Sequence, residues 1–130
     1  MAAEYIAKDY VARLGRSEEY HIVSRALSHE EIGNDIYPPM KQALHRAGIS
    51  FGPHHAQFMG NEEYRMADAI YYMDQSNAIR LNRMFGLDSR CHQLSDYLPG
   101  VSEIDDPWYT GRFDEVVAQL KDCMPHIFAK

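Results

Sequence analysis

The feature that most constrains the fold is a continuous apolar run at residues 69–73, which reads Ala-Ile-Tyr-Tyr-Met. The run has the length of a strand, and an uninterrupted apolar strand is typical of a sheet covered on both faces. Asp74 ends the run, and residues 75–85 have helical character with Gly86 beyond them as a C-cap. Either Asp74 or Ser76 can cap the first amides of that helix. A buried strand that leads directly into a helix predicts an α/β domain with a parallel sheet.

The other segments continue this alternation of helix and strand. Ala3, Ile6, Tyr10 and Leu14 are spaced three and four apart, which predicts an opening helix that ends at Gly15. We predict further helices at residues 38–48, 61–66 and 113–128, with Pro125 ending the last one early or kinking it, and short strands at 21–24 and 92–94. No repeat or linker divides the chain, so we expect one domain over residues 1–130.

The composition excludes several classes of protein. Apolar residues make up 45% of the 130-residue chain and charged residues 25%, which is the composition of a soluble globular domain. The formal charge is −6 and the 13 basic residues are dispersed, so no nucleic-acid partner is expected. Cys91 and Cys123 form neither a disulfide framework nor a paired metal spacing. We expect no metal, no cofactor and no membrane contact, and with no signal peptide we expect the cytoplasm.

Residues 104–111 combine paired acids, a proline and two large aromatic side chains. Pro107 restricts the backbone of Asp106, so local geometry aims that carboxylate. Trp108 and Tyr109 could wall a pocket for a flat ring, beside a proton donor. The alternative is a plain surface turn, because Asp-Pro followed by a nearby glycine is ordinary turn chemistry.

Four segments, in this order, resemble the low-molecular-weight protein tyrosine phosphatases across essentially the whole chain. They are Ala3-Glu4-Tyr5-Ile6 with Lys8-Asp9, Ser24-Arg25-Ala26-Leu27-Ser28 with Glu31-Ile32-Gly33-Asn34, Met73-Asp74-Gln75-Ser76-Asn77, and Asp106-Pro107-Trp108-Tyr109-Thr110-Gly111. Each motif is weak alone, and their shared order is the specific signal. The resemblance implies a three-layer αβα sandwich with a small parallel sheet.

The resemblance also implies a mechanism. In this family a Cys thiolate attacks phosphotyrosine, and a loop of backbone amides with an Arg binds the phosphate. By its match to the family motif, Asp106 would be the general acid, with Trp108 and Tyr109 contacting the aromatic substrate. Ser24 and His54 would support the phosphate loop. Asp74 matches a family aspartate at the carboxyl end of a strand, where a helix-capping role is the simpler explanation.

The nucleophile of the family is not among these residues. The family loop is Cys, five residues, then Arg, whereas Tyr97 lies six positions beyond Cys91 and Ala129 six beyond Cys123. The first strand of the family, which is central in its sheet, is missing with the loop. Five buried strand residues contribute about 10 kcal/mol, against about 5–15 kcal/mol for a whole domain. We therefore expect an incomplete sequence, truncated relative to the family, or a marginal fold that self-associates through its sheet. As written, the chain is expected to be inactive.

Several functions remain open at this point. A phosphatase would act on phosphotyrosine proteins or small aryl phosphates, while arsenate reductases and phosphoarginine phosphatases share the scaffold. A noncatalytic binding or regulatory protein could keep the acid loop without the nucleophile. A structural fragment could associate with a partner through the exposed sheet.

Overall fold

The computed structural model describes residues 2–27, 35–53, 56–104 and 110–128. Apart from the strand predicted at residues 21–24, its helices and strands follow the predicted alternation, with boundaries that differ by a few residues. These ranges contain the helices α1 (Ala2–Arg13), α2 (Pro38–Arg46), α3 (Asn61–Met66), α4 (Gln75–Met84) and α5 (Phe113–Phe128), the strands β1 (Ile70–Tyr72) and β2 (Cys91–Gln93), and 3₁₀ turns at Ser17–Glu19 and Leu94–Tyr97.

The sheet consists of β1 and β2 in parallel. Ile70 lies opposite Cys91 and Tyr72 opposite Gln93, and the Ile70 amide donates to the Arg90 carbonyl at 2.9 Å. Helix α4 connects the two strands, as a parallel pair requires. The parallel sheet predicted from the apolar run is therefore confirmed, although each strand is only three residues long.

The strand predicted at residues 21–24 is wrong. An isolated parallel bridge between Ala26 and Phe58 lies just beyond it. There the Ala26 amide donates to the Gln57 carbonyl at 2.6 Å, and the Met59 amide donates to the Ala26 carbonyl at 3.1 Å. Ser24 cannot join a ladder through its amide, because that amide donates to the Glu4 carboxylate of α1. A side-chain acceptor has replaced a strand partner.

Two clusters of buried apolar side chains cover the sheet. The helical core joins α1, α2 and α5, and Ile6, Leu44 and Leu120 are its central members. The sheet core is smaller and joins Tyr64 of α3, Ile70 of β1 and Leu81 of α4. Successive strand residues face opposite sides of a sheet. Ile70 accordingly contributes to the sheet core and Met73 packs against the helical core, which gives the three-layer αβα arrangement.

Strand β1 is not covered on both faces, contrary to the prediction from its apolar run. Ile70 is buried, but Tyr71 is 37% exposed. The Tyr71 ring lies 5.5 Å from the His92 ring of β2, so the two rings partly cover each other.

Pro125 does not end α5. The helix continues to Phe128, although Pro125 lacks the amide that would bond one turn back. Packing beyond the proline offsets this loss, because the Phe128 ring lies 4.9 Å from the Tyr20 ring and 6.2 Å from the Tyr10 ring. The predicted early end of the helix is therefore wrong.

Candidate active site at the carboxyl edge of the sheet

Polar residues follow both strands at the carboxyl edge of the sheet. Asp74 and Gln75 come just after β1, while Gln93 ends β2 and Ser95 follows it closely. Open parallel sheets bind ligands at this edge, because the strand ends and the amino ends of the following helices meet there. This edge is therefore the candidate site.

Asp74 is the N-cap of α4. Its Oδ1 accepts a bond from the Asn77 amide at 2.9 Å and from the Ser76 hydroxyl at 2.8 Å. In return, the Asn77 Oδ1 accepts from the amides of Met73 and Asp74 at 3.2 and 3.3 Å. The reciprocal bonds form a capping box, so Asp74 fixes where the helix starts relative to β1.

Ser24 is bound to α1 through a carboxylate. Its amide and its hydroxyl both donate to Oε1 of Glu4, at 3.0 and 2.7 Å. Lys8 donates to the other oxygen of Glu4 at 2.6 Å, and the Glu4 side chain is only 9% exposed. Because the Ser24 hydroxyl donates its only hydrogen bond to Glu4, its oxygen can act towards another group only as an acceptor. The Glu4–Lys8 spacing of four signals their ion pair in sequence, whereas the bond to Ser24 has no local signal.

Arg25 lies beside Ser24 and is already engaged. Its Nη1 donates to the Ser24 carbonyl at 2.9 Å, and its Nε donates to Glu63 of α3 at 2.8 Å. The guanidinium thus connects this segment to α3. It serves the structure of the segment in this arrangement, because an ion pair neutralises the charge that an anion would need.

The sequence did not single out Gln93, which forms the centre of a buried hydrogen-bond network. Its side chain is 5% exposed. The Gln93 Oε1 accepts from Nε2 of Gln75 at 2.8 Å, and its Nε2 donates to the Ser102 carbonyl at 3.2 Å. That carbonyl also accepts from the buried Ser95 hydroxyl at 2.9 Å. Separately, Glu103 accepts from the Gln75 amide at 3.0 Å.

Four of the six predicted site residues, Asp106, Trp108, Tyr109 and His54, lie outside the described residues. The flanks of the acid motif are described. Ile104 is buried in the helical core, and Phe113 of α5 packs against the same core. Of the predicted residues that are described, Ser24 binds α1 and Asp74 caps α4.

Neither cysteine lies in a phosphate-binding position. Cys123 of α5 is fully buried, and its thiol donates to the Leu94 carbonyl at 3.4 Å. Burial raises the pKa of this thiol to about 11, with a smaller contribution from Asp122, so it remains protonated near neutral pH. Cys91 begins β2, at the end of the strand opposite to the candidate site.

In the described ranges, no group of three or more His, Cys, Asp or Glu side chains could hold a metal ion. Among the same residues, no helix is long and apolar enough to cross a membrane.

The family model described as low molecular weight phosphotyrosine protein phosphatase matches residues 1–130. A low molecular weight protein-tyrosine-phosphatase of Bacillus subtilis, YfkJ, is 31% identical over 123 residues, covering 92% of this chain and 79% of its own. A low molecular weight phosphotyrosine protein phosphatase of Schizosaccharomyces pombe is 30% identical over 127 residues, which cover 92% of this chain and 81% of that protein.

Solved structures of the same family have the same fold as this chain. The crystal structure of YfkJ superposes with a TM-score of 0.89 at 30% identity, over 98% of this chain and 83% of that one. The phosphatase of Streptococcus pyogenes shares the fold, with a TM-score of 0.86 at 24% identity over 98% and 81% of the two chains. With a family match over its whole length, this chain belongs to the low molecular weight phosphotyrosine protein phosphatases.

Proposed function

We propose that this chain carries the acid half of a phosphotyrosine phosphatase, with Asp106 as the general acid and Trp108 and Tyr109 contacting the substrate ring. One observation carries the proposal. The Asp-Pro-Trp-Tyr motif begins two residues after Ile104, and residues 102–104 are bound to the end of β2, to the start of α4 and to the helical core of a member of this family. The anchoring of residues 102–104 at the edge where parallel sheets bind ligands supports the proposal.

The reaction requires both a nucleophile and an acid. A thiolate attacks the phosphorus atom, the bond to the phenol oxygen breaks, and Asp106 gives its proton to that oxygen. Phenol has a pKa of about 10, so an unprotonated phenolate leaves slowly near neutral pH. Water then hydrolyses the cysteinyl-phosphate, and the same carboxylate can accept a proton from that water. Ser24 and His54 would support the phosphate loop, and Asp74 would act through the position of α4.

The thiolate and its arginine are not supplied by Cys91 or Cys123, because neither is followed by arginine six positions later. The 130-residue chain should therefore hydrolyse neither p-nitrophenyl phosphate nor a phosphotyrosine peptide above background. Turnover by a preparation whose mass is verified would contradict this expectation.

A chimera tests the role of Asp106. The amino-terminal segment of the Bacillus subtilis relative, joined ahead of Met1, would supply a phosphate loop. In an active chimera, Asp106→Ala should lower kcat about 10²–10⁴-fold for a phenyl phosphate with a poor leaving group. The effect should shrink as the leaving group becomes more acidic. Asp105→Ala is the matched control and should leave kcat unchanged; equal effects of the two substitutions would remove Asp106 from the role.

A noncatalytic binding protein is the second candidate, because neither Cys91 nor Cys123 is followed by an arginine six positions later. Such a protein would show saturable binding of a phosphotyrosine peptide by the 130-residue chain, measured by the fluorescence of Trp108, the only tryptophan in the sequence. Arsenate reduction or phosphoarginine hydrolysis on the same scaffold would be recognised by the substrate preference of the chimera.

We also propose that the chain folds as one domain, acts in the cytoplasm and self-associates through its incomplete sheet. In the described residues, β1 pairs with β2 alone, and a strand with an open edge can accept another strand. Two free thiols fit a reducing compartment. Sedimentation at increasing protein concentration tests the association, and a single monomeric species at all concentrations would contradict it.

A further inference from the structure

We infer that Gln93 is a positioning residue, which fixes residues 102–104 and thereby the point from which the chain enters the Asp106 motif. The functional meaning of this role rests on the proposed phosphatase chemistry. The network itself does not, because it consists entirely of described residues.

The Ser102 carbonyl is held from two sides. The amide of Gln93 and the hydroxyl of Ser95 both donate to it, and both side chains are buried. A carbonyl has two acceptor sites, so these donors occupy both and allow it little freedom to rotate. Ser102 is therefore fixed relative to the end of β2.

The two residues after Ser102 are anchored independently. The Glu103 carboxylate accepts a hydrogen bond from the amide of Gln75, the first residue of α4, and Ile104 is buried in the helical core. Three consecutive residues thus bind β2, the start of α4 and the helical layer. Asp106 is two residues beyond Ile104, so the dimensions of the backbone keep it within the span of two residues from this anchored segment.

The polar nature of Gln93 argues for orientation and against simple packing. Burying an amide is costly unless its hydrogen bonds are made, and an apolar side chain would fill the same space without that cost. Here the Gln93 oxygen is bound to Gln75 and the nitrogen to Ser102, so the amide has one preferred orientation. A satisfied buried network specifies geometry, and a general acid needs its geometry held closely.

Trp108 provides a readout that needs no catalysis, because it is the only tryptophan of the chain and lies within the motif. Gln93→Leu removes both bonds while keeping a side chain of similar size. In the folded variant we expect a shift of the tryptophan emission maximum and a changed Stern–Volmer constant for acrylamide. Emission and quenching identical to the wild type would overturn the inference.

Two further variants separate position from stability. Leu81→Ala destabilises the sheet core, which contains none of Gln93, Ser95 and residues 102–104, and its folded form should keep the wild-type emission. Gln93→Glu can donate to the Ser102 carbonyl only when its carboxyl group is protonated. Its tryptophan signal should therefore match the wild type at low pH and move towards that of Gln93→Leu as the pH rises. The same difference from wild type at every pH would overturn the inference.

The outcome is separable from that of the proposed function. If Gln93→Leu changes the Trp108 signal while Asp106→Ala leaves the chimera unchanged, Gln93 positions this segment but the segment holds no acid. If Asp106→Ala slows the chimera and Gln93→Leu leaves the Trp108 signal unaltered, the acid stands and the positioning role is wrong.

Discussion

The two cores of this protein differ in size and in what holds them together. The helical core joins three helices through fully buried side chains such as Leu44 and Leu120. The sheet core has three buried members, and Tyr64 is one of them. Around Tyr64, polar contacts supplement the packing: its hydroxyl donates to the Gly86 carbonyl and contacts the Cys91 sulfur at 3.6 Å.

This difference indicates that the two layers of the fold are stabilised by different interactions. Apolar burial dominates the stability of the helical layer, since its free energy scales with the area removed from water. The sheet layer depends more on hydrogen bonds and caps, and these specify geometry better than they stabilise. The candidate site is built at the edge of this second layer, so its accuracy rests on polar contacts.

Matched leucine truncations should show the largest effect. Leu44→Ala in the helical core should lower the free energy of unfolding by about 4–5 kcal/mol, near the top of the range for buried leucines. Leu81→Ala should cost about 2–3 kcal/mol, because a small core next to solvent relaxes more easily around a cavity. Urea denaturation measures both. Equal losses would show that the two cores are equally dense and would break the comparison.

The buried thiol of the helical core should make stability fall in alkali. The pKa of Cys123 is raised from 9.0 to about 11, so the folded state favours the protonated thiol. Its contribution is complete below about pH 9 and is lost as the pH rises through 11. Two pKa units correspond to about 3 kcal/mol. Tyrosines titrate in this range as well, so the comparison is with Cys123→Ala, whose stability should fall less steeply with pH. Parallel pH profiles would contradict the assignment.

The contrast also explains what could be predicted from the sequence. The strand predicted from the apolar run at 69–73 and the helix predicted at 113–128 were confirmed, because each is a strong local pattern. The buried face of α1 was less predictable. Ala3, Ile6, Tyr10 and Leu14 formed the predicted stripe, but the buried residues are Ala2, Ile6, Ala7 and Val11. Both sets centre on the same side of the helix, and Ala3 and Tyr10 pack partly buried against the helical core, but Leu14 is exposed and small alanines at the edges of the face are buried instead.

The candidate site likewise contains contacts that the sequence predicts and contacts that it does not. The Asp74 cap was predictable because its partners lie within three residues. The Gln93 network was not, because Gln75 lies 18 positions away and Ser102 lies nine away. Such contacts depend on the completed fold, and a glutamine inside a short strand gives no local signal of them.

Arg90 should be the most important single polar residue of the sheet layer. Its Nη1 donates to the carbonyls of Tyr64 and Ala67 at 2.8 and 2.7 Å, and its guanidinium lies 4.9 Å from the Tyr64 ring. Lysine keeps the charge but not this fork. Arg90→Lys should therefore cost about 2 kcal/mol, within the range for hydrogen bonds of charged groups.

The matched control for Arg90 is Arg83→Lys, on the exposed side of α4, which should change stability by less than about 0.5 kcal/mol. Chemical denaturation of both variants gives the comparison. If Arg90→Lys were as neutral as its control, packing alone would hold the sheet layer together.

The smallest effect expected is that of the α4 cap. Asp74→Ala should lower stability by about 1 kcal/mol, because the amide of Asn77 and the hydroxyl of Ser76 lose their acceptor. Asp74→Asn keeps an oxygen in the same place and should be nearly neutral, since asparagine caps helices as well as aspartate. Thermal and urea unfolding of the two variants distinguish the cap from the charge. A loss with asparagine as large as that with alanine would mean that the negative charge at the start of α4 matters more than the hydrogen bond, and the sheet layer would then depend on electrostatics in addition to its hydrogen bonds.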